Sequence, residues 1–200
     1  MKKSFLLLLG SALTFLFLQT SCFAYSSDPK TFISEIVDEA KIILNSKISK
    51  EEKAKKLSEI ALETVDIRGI GYYTLGSKRK ELTPDELKKY DVIFQKYFLK
   101  SFTSRLTDYS DPKIDVLSAE VINEKYTIVK TLLVATEKKP EVKIDWRIYT
   151  KDPDKPLIRD LIVEGLKLAR TQKEEFSSIL SSNNNDINAL FKELEEFINQ

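Results

Sequence analysis

Residues 142–149 read Val-Lys-Ile-Asp-Trp-Arg-Ile-Tyr, and the alternation in these eight positions decides the fold. In an extended chain successive side chains point to opposite faces. Val142, Ile144, Trp146 and Ile148 therefore share one face, and Lys143, Asp145, Arg147 and Tyr149 share the other. A strand with one apolar and one polar face belongs to an antiparallel sheet that packs against a core on one side only. The neighbouring stretches 113–122, 126–136 and 157–163 are likewise rich in β-branched and aromatic residues. Turn-forming pieces such as Asn123-Glu124 and Lys151-Asp152-Pro153-Asp154 separate them. These connections are too short for crossover helices, so the middle of the chain predicts a four-strand antiparallel meander.

On either side the period changes from two to helical. Asp28 before Pro29 supplies an N-cap and a first helical residue, followed by Phe32, Ile33, Ile36, Val37, Ala40, Ile43 and Leu44. Ser49 with Glu52, and Thr83 with Glu86, are capping boxes, the second with Pro84 at the first position. The helix opened by Thr83 carries Leu87, Tyr90, Phe94, Phe98, Phe102 and Leu106 on nearly one stripe. After Gly165 the helical spacing returns with Leu168, Phe176, Ile179 and Leu180, and after the polar break at 183–185 with Ile187, Leu190, Phe191, Leu194 and Phe197. Helices, then a meander, then helices predict an α+β fold with the helices on one face of a four-stranded, mainly antiparallel sheet.

The first 24 residues form a segment of a different kind. Lys2 and Lys3 precede an apolar run from Phe5 to Leu18, and no acidic residue occurs before Asp28. The run is about 14 residues long, short of the roughly 20 needed to span a bilayer. It reads as a secretory signal peptide. Cys22 offers a lipidation site, and Cys22-Phe23-Ala24 offers an ordinary small-x-small cleavage site. Gln19 stands where a lipoprotein box needs an aliphatic residue, so cleavage after Ala24 is expected. Residues 25–200 then form the mature chain, long enough for a single domain with one substantial core.

Removing Lys2 and Lys3 leaves 30 basic against 31 acidic residues, a net charge of −1. That balance gives no electrostatic footprint for nucleic acid. The only Cys is Cys22, the only Met is Met1, and there is no His. The mature chain therefore has no thiolate nucleophile, no Ser-His-Asp triad, no His or Cys zinc site and no disulfide.

Three local patterns are candidates for chemistry. Gly69-Ile70-Gly71 lacks the Lys-Ser/Thr ending and the preceding strand of a phosphate loop, so it reads as a bend between two helical pieces. Asp145, Asp160 and Glu164 form a possible paired-carboxylate site, which a small α+β enzyme would use through Asp145 or Asp160 as base. Lys78-Arg79-Lys80 is a solvated loop, or an anion site if it stands at a cavity opening. The aromatic density of Tyr72, Tyr73, Phe94, Phe98, Phe102 and Trp146 fits either a filled core or a lined cavity. A protein-only adaptor is a further reading.

Two blocks resemble a known family. Val65 to Glu86, with Asp66, Gly71, Leu75-Gly76, Lys80 and Thr83-Pro84, is similar to the helical signature of the MlaC (toluene-tolerance) family of periplasmic phospholipid carriers. Arg159-Asp160-Leu161-Ile162-Val163-Glu164-Gly165, followed by Thr171 and Phe176, resembles that family's strand-to-helix junction. Lys167 and Ser77-Lys78-Arg79 depart from the family pattern. The resemblance implies a periplasmic carrier that holds a glycerophospholipid in an apolar cavity between sheet and helices. It would exchange that cargo with an outer-membrane lipoprotein complex and an inner-membrane ABC-type transport complex, maintaining outer-membrane lipid asymmetry without a resident cofactor. By motif position it places Lys80, Lys143 and Thr171 near the headgroup. Periodicity adds Tyr73, Phe94, Phe98, Trp146 and Leu161 as cavity wall.

Overall fold

The structure is a computed structural model that describes residues 25–107, 111–137 and 140–200; the expected signal peptide, with Cys22, lies outside the described residues. Six helices are present: α1 (Pro29–Asn45), α2 (Lys50–Thr64), α3 (Ile67–Leu75), α4 (Pro84–Leu106), α5 (Leu168–Ser182) and α6 (Ile187–Asn199). The strands are β1 (Ile114–Asn123), β2 (Tyr126–Leu133), β3 (Val142–Tyr149), β4 (Leu157–Val163) and β5 (Leu166–Lys167), and they form one sheet in chain order. Every neighbouring pair is antiparallel.

The start signals act as read. The Asp28 carboxylate accepts from Thr31 N at 2.8 Å. Both capping boxes close, Ser49 with Glu52 and Thr83 with Glu86. Such caps satisfy amides that have no intrahelical partner.

Two expectations are corrected. The sheet has a fifth strand, the two-residue β5, which turns back on β4 through Glu164 and Gly165. Both turn residues have positive φ, 49° and 82°, which is the I′-like geometry of a tight hairpin. The segment 69–71 is not a bend but the interior of α3. The break between helices falls earlier, at Val65 and Asp66: Val65 is extended and bridges Ile158, and Asp66 N donates to the Ile158 carbonyl at 2.9 Å.

The helices cover one face of the sheet, and the apolar side chains gather into two clusters. One joins α3, α4, α5 and α6 around Tyr90, Phe94, Phe176, Leu190 and Phe191. The other joins α1 and α2 to the sheet around Phe32, Ile33, Leu57, Val129 and Ile148. Val65 packs against both. α4 packs on α2, α3 and α6, with no comparable packing onto any strand. A long aromatic helix held off the sheet leaves space beneath it.

Candidate functional site: an apolar chamber between two cores

That space is a cavity of about 540 Å³. Its roof is the stripe on α4, including Phe94, Phe98, Phe102 and Leu106, and its floor is the apolar face of the sheet: Ile114, Leu133, Val142, Ile144, Trp146, Ile158, Leu161 and Val163. α1 and α2 close one side with residues such as Ile36, Leu44, Leu57 and Ile60, and α5 closes the other with Leu168 and Ala169.

The roof is a run of rings. Tyr90 and Phe94 stack at 5.4 Å, Phe94 and Phe98 lie 6.2 Å apart, and Phe98 and Phe102 stack at 6.1 Å. Spacing of four residues puts them in line along the helix. In the floor, Trp146 Nε1 donates to Thr131 Oγ1 at 3.0 Å, and that hydroxyl donates to the Ile144 carbonyl at 2.8 Å. The indole thus presents its apolar surface with its one donor satisfied. Among the described residues no buried side-chain polar atom lacks a partner.

Asp160 also reaches the wall, and its role is structural. A bulge sets Arg159 and Asp160 against Arg147 alone. Asp160 is buried, and its Oδ1 accepts from Ala169 N at 2.9 Å. It therefore caps the start of α5, which has no cap from its own N-terminal flank. Burial raises the Asp160 pKa above the usual carboxylate value, and the amides of Ala169 and Leu161 act in the opposite sense. Arg159 turns the other way: its Nε lies 2.7 Å from Asp66 Oδ2, while Asp66 Oδ1 caps α3 through Gly69 N at 2.9 Å. The two motif blocks thus meet, and their charged residues fasten helices to sheet.

The three candidate carboxylates do not assemble into one site. Asp145 belongs to the polar side of β3, opposite Ile144 and Trp146. Glu164 sits in the β4–β5 turn, where its carboxylate accepts from Lys143 N. Among the described residues no cluster of three acidic, His or Cys side chains fit to hold a metal ion occurs.

Of the residues singled out from sequence, Phe94, Phe98, Trp146, Leu161 and Thr171 line the chamber. Tyr73, Lys80 and Lys143 are not among its lining residues. Tyr73 is 47% exposed on α3, with Lys173 Nζ 5.3 Å from its ring centre. Lys80 ends a single 3-10 turn (Lys78–Lys80) between α3 and α4, and Lys143 follows the alternation of β3 onto the face away from the chamber.

Apart from Thr171, the polar rim was not read from sequence. Lys41 from α1, Ser101 and Arg105 from α4, and Thr171, Gln172 and Glu175 from α5 border the void. Tyr97, Ser101 and Arg105 recur every fourth residue down α4, a signal hidden because the apolar stripe beside them dominates the pattern. Tyr97 Oη donates to Gln172 Oε1 at 2.8 Å, and Gln172 Nε2 donates to Glu175 Oε2 at 2.7 Å. Burial raises the Tyr97 pKa, and Glu175 adds to the rise, whereas Gln172 and Arg105 act against it. Arg105 and Glu175 therefore both act on the same phenol.

A helical layer held off an antiparallel sheet around an apolar chamber places the molecule among α+β proteins built around an internal pocket. The chain belongs to the MlaC protein family, whose profile matches residues 34–196. It also shares its fold with a phospholipid-binding protein from Ralstonia solanacearum, solved in complex with a phospholipid, with a TM-score of 0.73 at 15% identity over 88% of this chain and 98% of that one. A comparison with curated proteins returned no match.

Proposed function

We propose that the protein is a periplasmic carrier that holds a glycerophospholipid by its acyl chains and moves it between outer- and inner-membrane complexes, so maintaining outer-membrane lipid asymmetry. One observation carries the reading: the two apolar cores are parted by a void of about 540 Å³ walled by rings and branched aliphatics, with polar residues on its border. Amphipathic cargo matches such a site, apolar tails within and a polar end at the rim. The phospholipid described in the Ralstonia protein of the same fold supports the assignment.

The energetics favour handover over release. Two acyl chains hold on the order of 30 methylenes, and at about 0.8 kcal/mol each their transfer from water is worth roughly 20 kcal/mol gross. Lipid therefore leaves only towards another apolar site. Mass spectrometry of lipids extracted from gently purified mature chain tests the proposal: about one phospholipid per chain is the expected result, and a lipid-free protein that also takes none from vesicles would overturn it.

A further inference from the structure

The rim of the chamber carries both signs of charge, from Lys41, Arg105 and Glu175. Glu175 is held by a two-step relay, with Tyr97 donating to Gln172 and Gln172 donating to Glu175. Its carboxylate is aimed by bonds that leave one oxygen, Oε1, without a protein donor among the described residues. Arg105 lies two turns along α4 from Tyr97, about 12 Å at 1.5 Å per residue. Lys41 lines the chamber from α1, across from α5, and its nearest acidic partner is Asp38 at 3.9 Å, a loose contact. Among the described residues neither Arg105 nor Lys41 makes an ion pair with Glu175. Opposite charges that line one chamber without pairing with each other match a ligand with two charges of its own.

We infer that the rim selects a zwitterionic headgroup, with Arg105 and Lys41 receiving the phosphate and Glu175 receiving the terminal ammonium. This rests on the carrier reading and deepens it. A guanidinium binds phosphate oxygens in pairs, and an ammonium donates readily to a free carboxylate oxygen. A headgroup with a phosphate but no cation, such as phosphoglycerol, leaves Glu175 unanswered beside a negative ligand. The discrimination is modest because the contacts are exposed, about two- to fivefold.

The test loads the purified mature chain from vesicles of equal parts dioleoyl phosphatidylethanolamine and dioleoyl phosphatidylglycerol, and reads the bound lipids by mass spectrometry with total bound phosphorus as a second measure. The ethanolamine lipid is expected to dominate in the wild type by about two- to fivefold. Glu175→Gln is expected to bring the ratio to about one with total phosphorus retained, and R105Q with K41Q to lower both lipids together. Equal loading by the wild type, or a ratio that Glu175→Gln leaves unchanged, overturns the inference while leaving the carrier reading intact. Absence of bound phosphorus with any vesicle overturns both. Far-ultraviolet circular dichroism of these rim variants, all altered at the chamber border, verifies the fold.

Discussion

Gly71 sits where an added methyl group would stand 2.7 Å from Cδ1 of Phe94, a ring that is itself 2% exposed and stacked on Tyr90. The ring is also held edge-on by Phe176, so an added methyl group would push it off Tyr90 and Phe176 toward the chamber, and glycine lets α3 approach α4 this closely without that shift. Gly71→Ala gains some helix propensity, but overpacking of this kind costs about 1–3 kcal/mol. A net loss of about 1–2 kcal/mol is expected in urea unfolding, and pairing it with Phe94→Leu should recover part. Asp160 makes a different prediction at the same scale. Its folded pKa lies above the unfolded value because of burial, so the native state binds the proton more tightly and Asp160 costs stability as pH rises through and above the ordinary carboxylate range. Asp160→Asn keeps an acceptor for Ala169 N and carries no charge. Its stability relative to wild type should rise between pH 3.5 and 7 in parallel denaturation series, and a difference that falls over that window would refute the assignment. Asp160→Ala, which loses the cap, should cost about 1 kcal/mol at low pH, with the cost shrinking as pH rises through the carboxylate range.

At the scale of elements, α4 does two jobs with one stripe. Tyr90 belongs to a packed core, Phe94 belongs to that core and also borders the chamber, and Phe98 and Phe102 further along face the void. Filling that void from the floor should separate the two roles. Leu161→Trp is expected to cut bound lipid by at least about half while leaving the melting midpoint of the delipidated chain equal or higher, since the added ring fills part of the empty chamber that Leu161 lines. The stripe, the strands and the caps were legible in the sequence because each is a short-range rule: period two in 142–149, period 3.6 in α4, and Thr83 three residues before Glu86. The fifth strand was not, since two residues show no period and Glu164-Gly165 lacks the Asn-Gly signal of a primed turn. Nor does periodicity encode how far α4 stands from the sheet, which distinguishes a lined chamber from a filled core. The rim escaped for the same reason, because Lys41, Arg105 and Glu175 come together only through the packing of three helices. The face occupied by Lys143 was already present in the alternation that places Val142 and Ile144 on the floor.

At the scale of the whole molecule, the proposed carrier role implies that cargo is passed on contact. With roughly 20 kcal/mol of gross transfer energy, loaded protein diluted into buffer should keep its lipid over hours, and acceptor vesicles or an apolar partner should be needed to remove it. Equilibrium dialysis of labelled lipid checks this, and spontaneous loss to buffer would contradict it. The chamber parts a helical core from a helix-and-sheet core that share Val65. In an empty chain the two cores are joined through Val65, the packing of α4 on α2 and the ties from Asp66 to Arg159 and from Asp160 to Ala169, and acyl chains in the chamber add contact surface between them. Calorimetry should accordingly find the delipidated chain melting in a broadened transition with a calorimetric enthalpy above the van't Hoff value, and the loaded chain melting as one unit with the two enthalpies equal. On the carrier reading, the passenger would in this sense set the cooperativity of its vehicle.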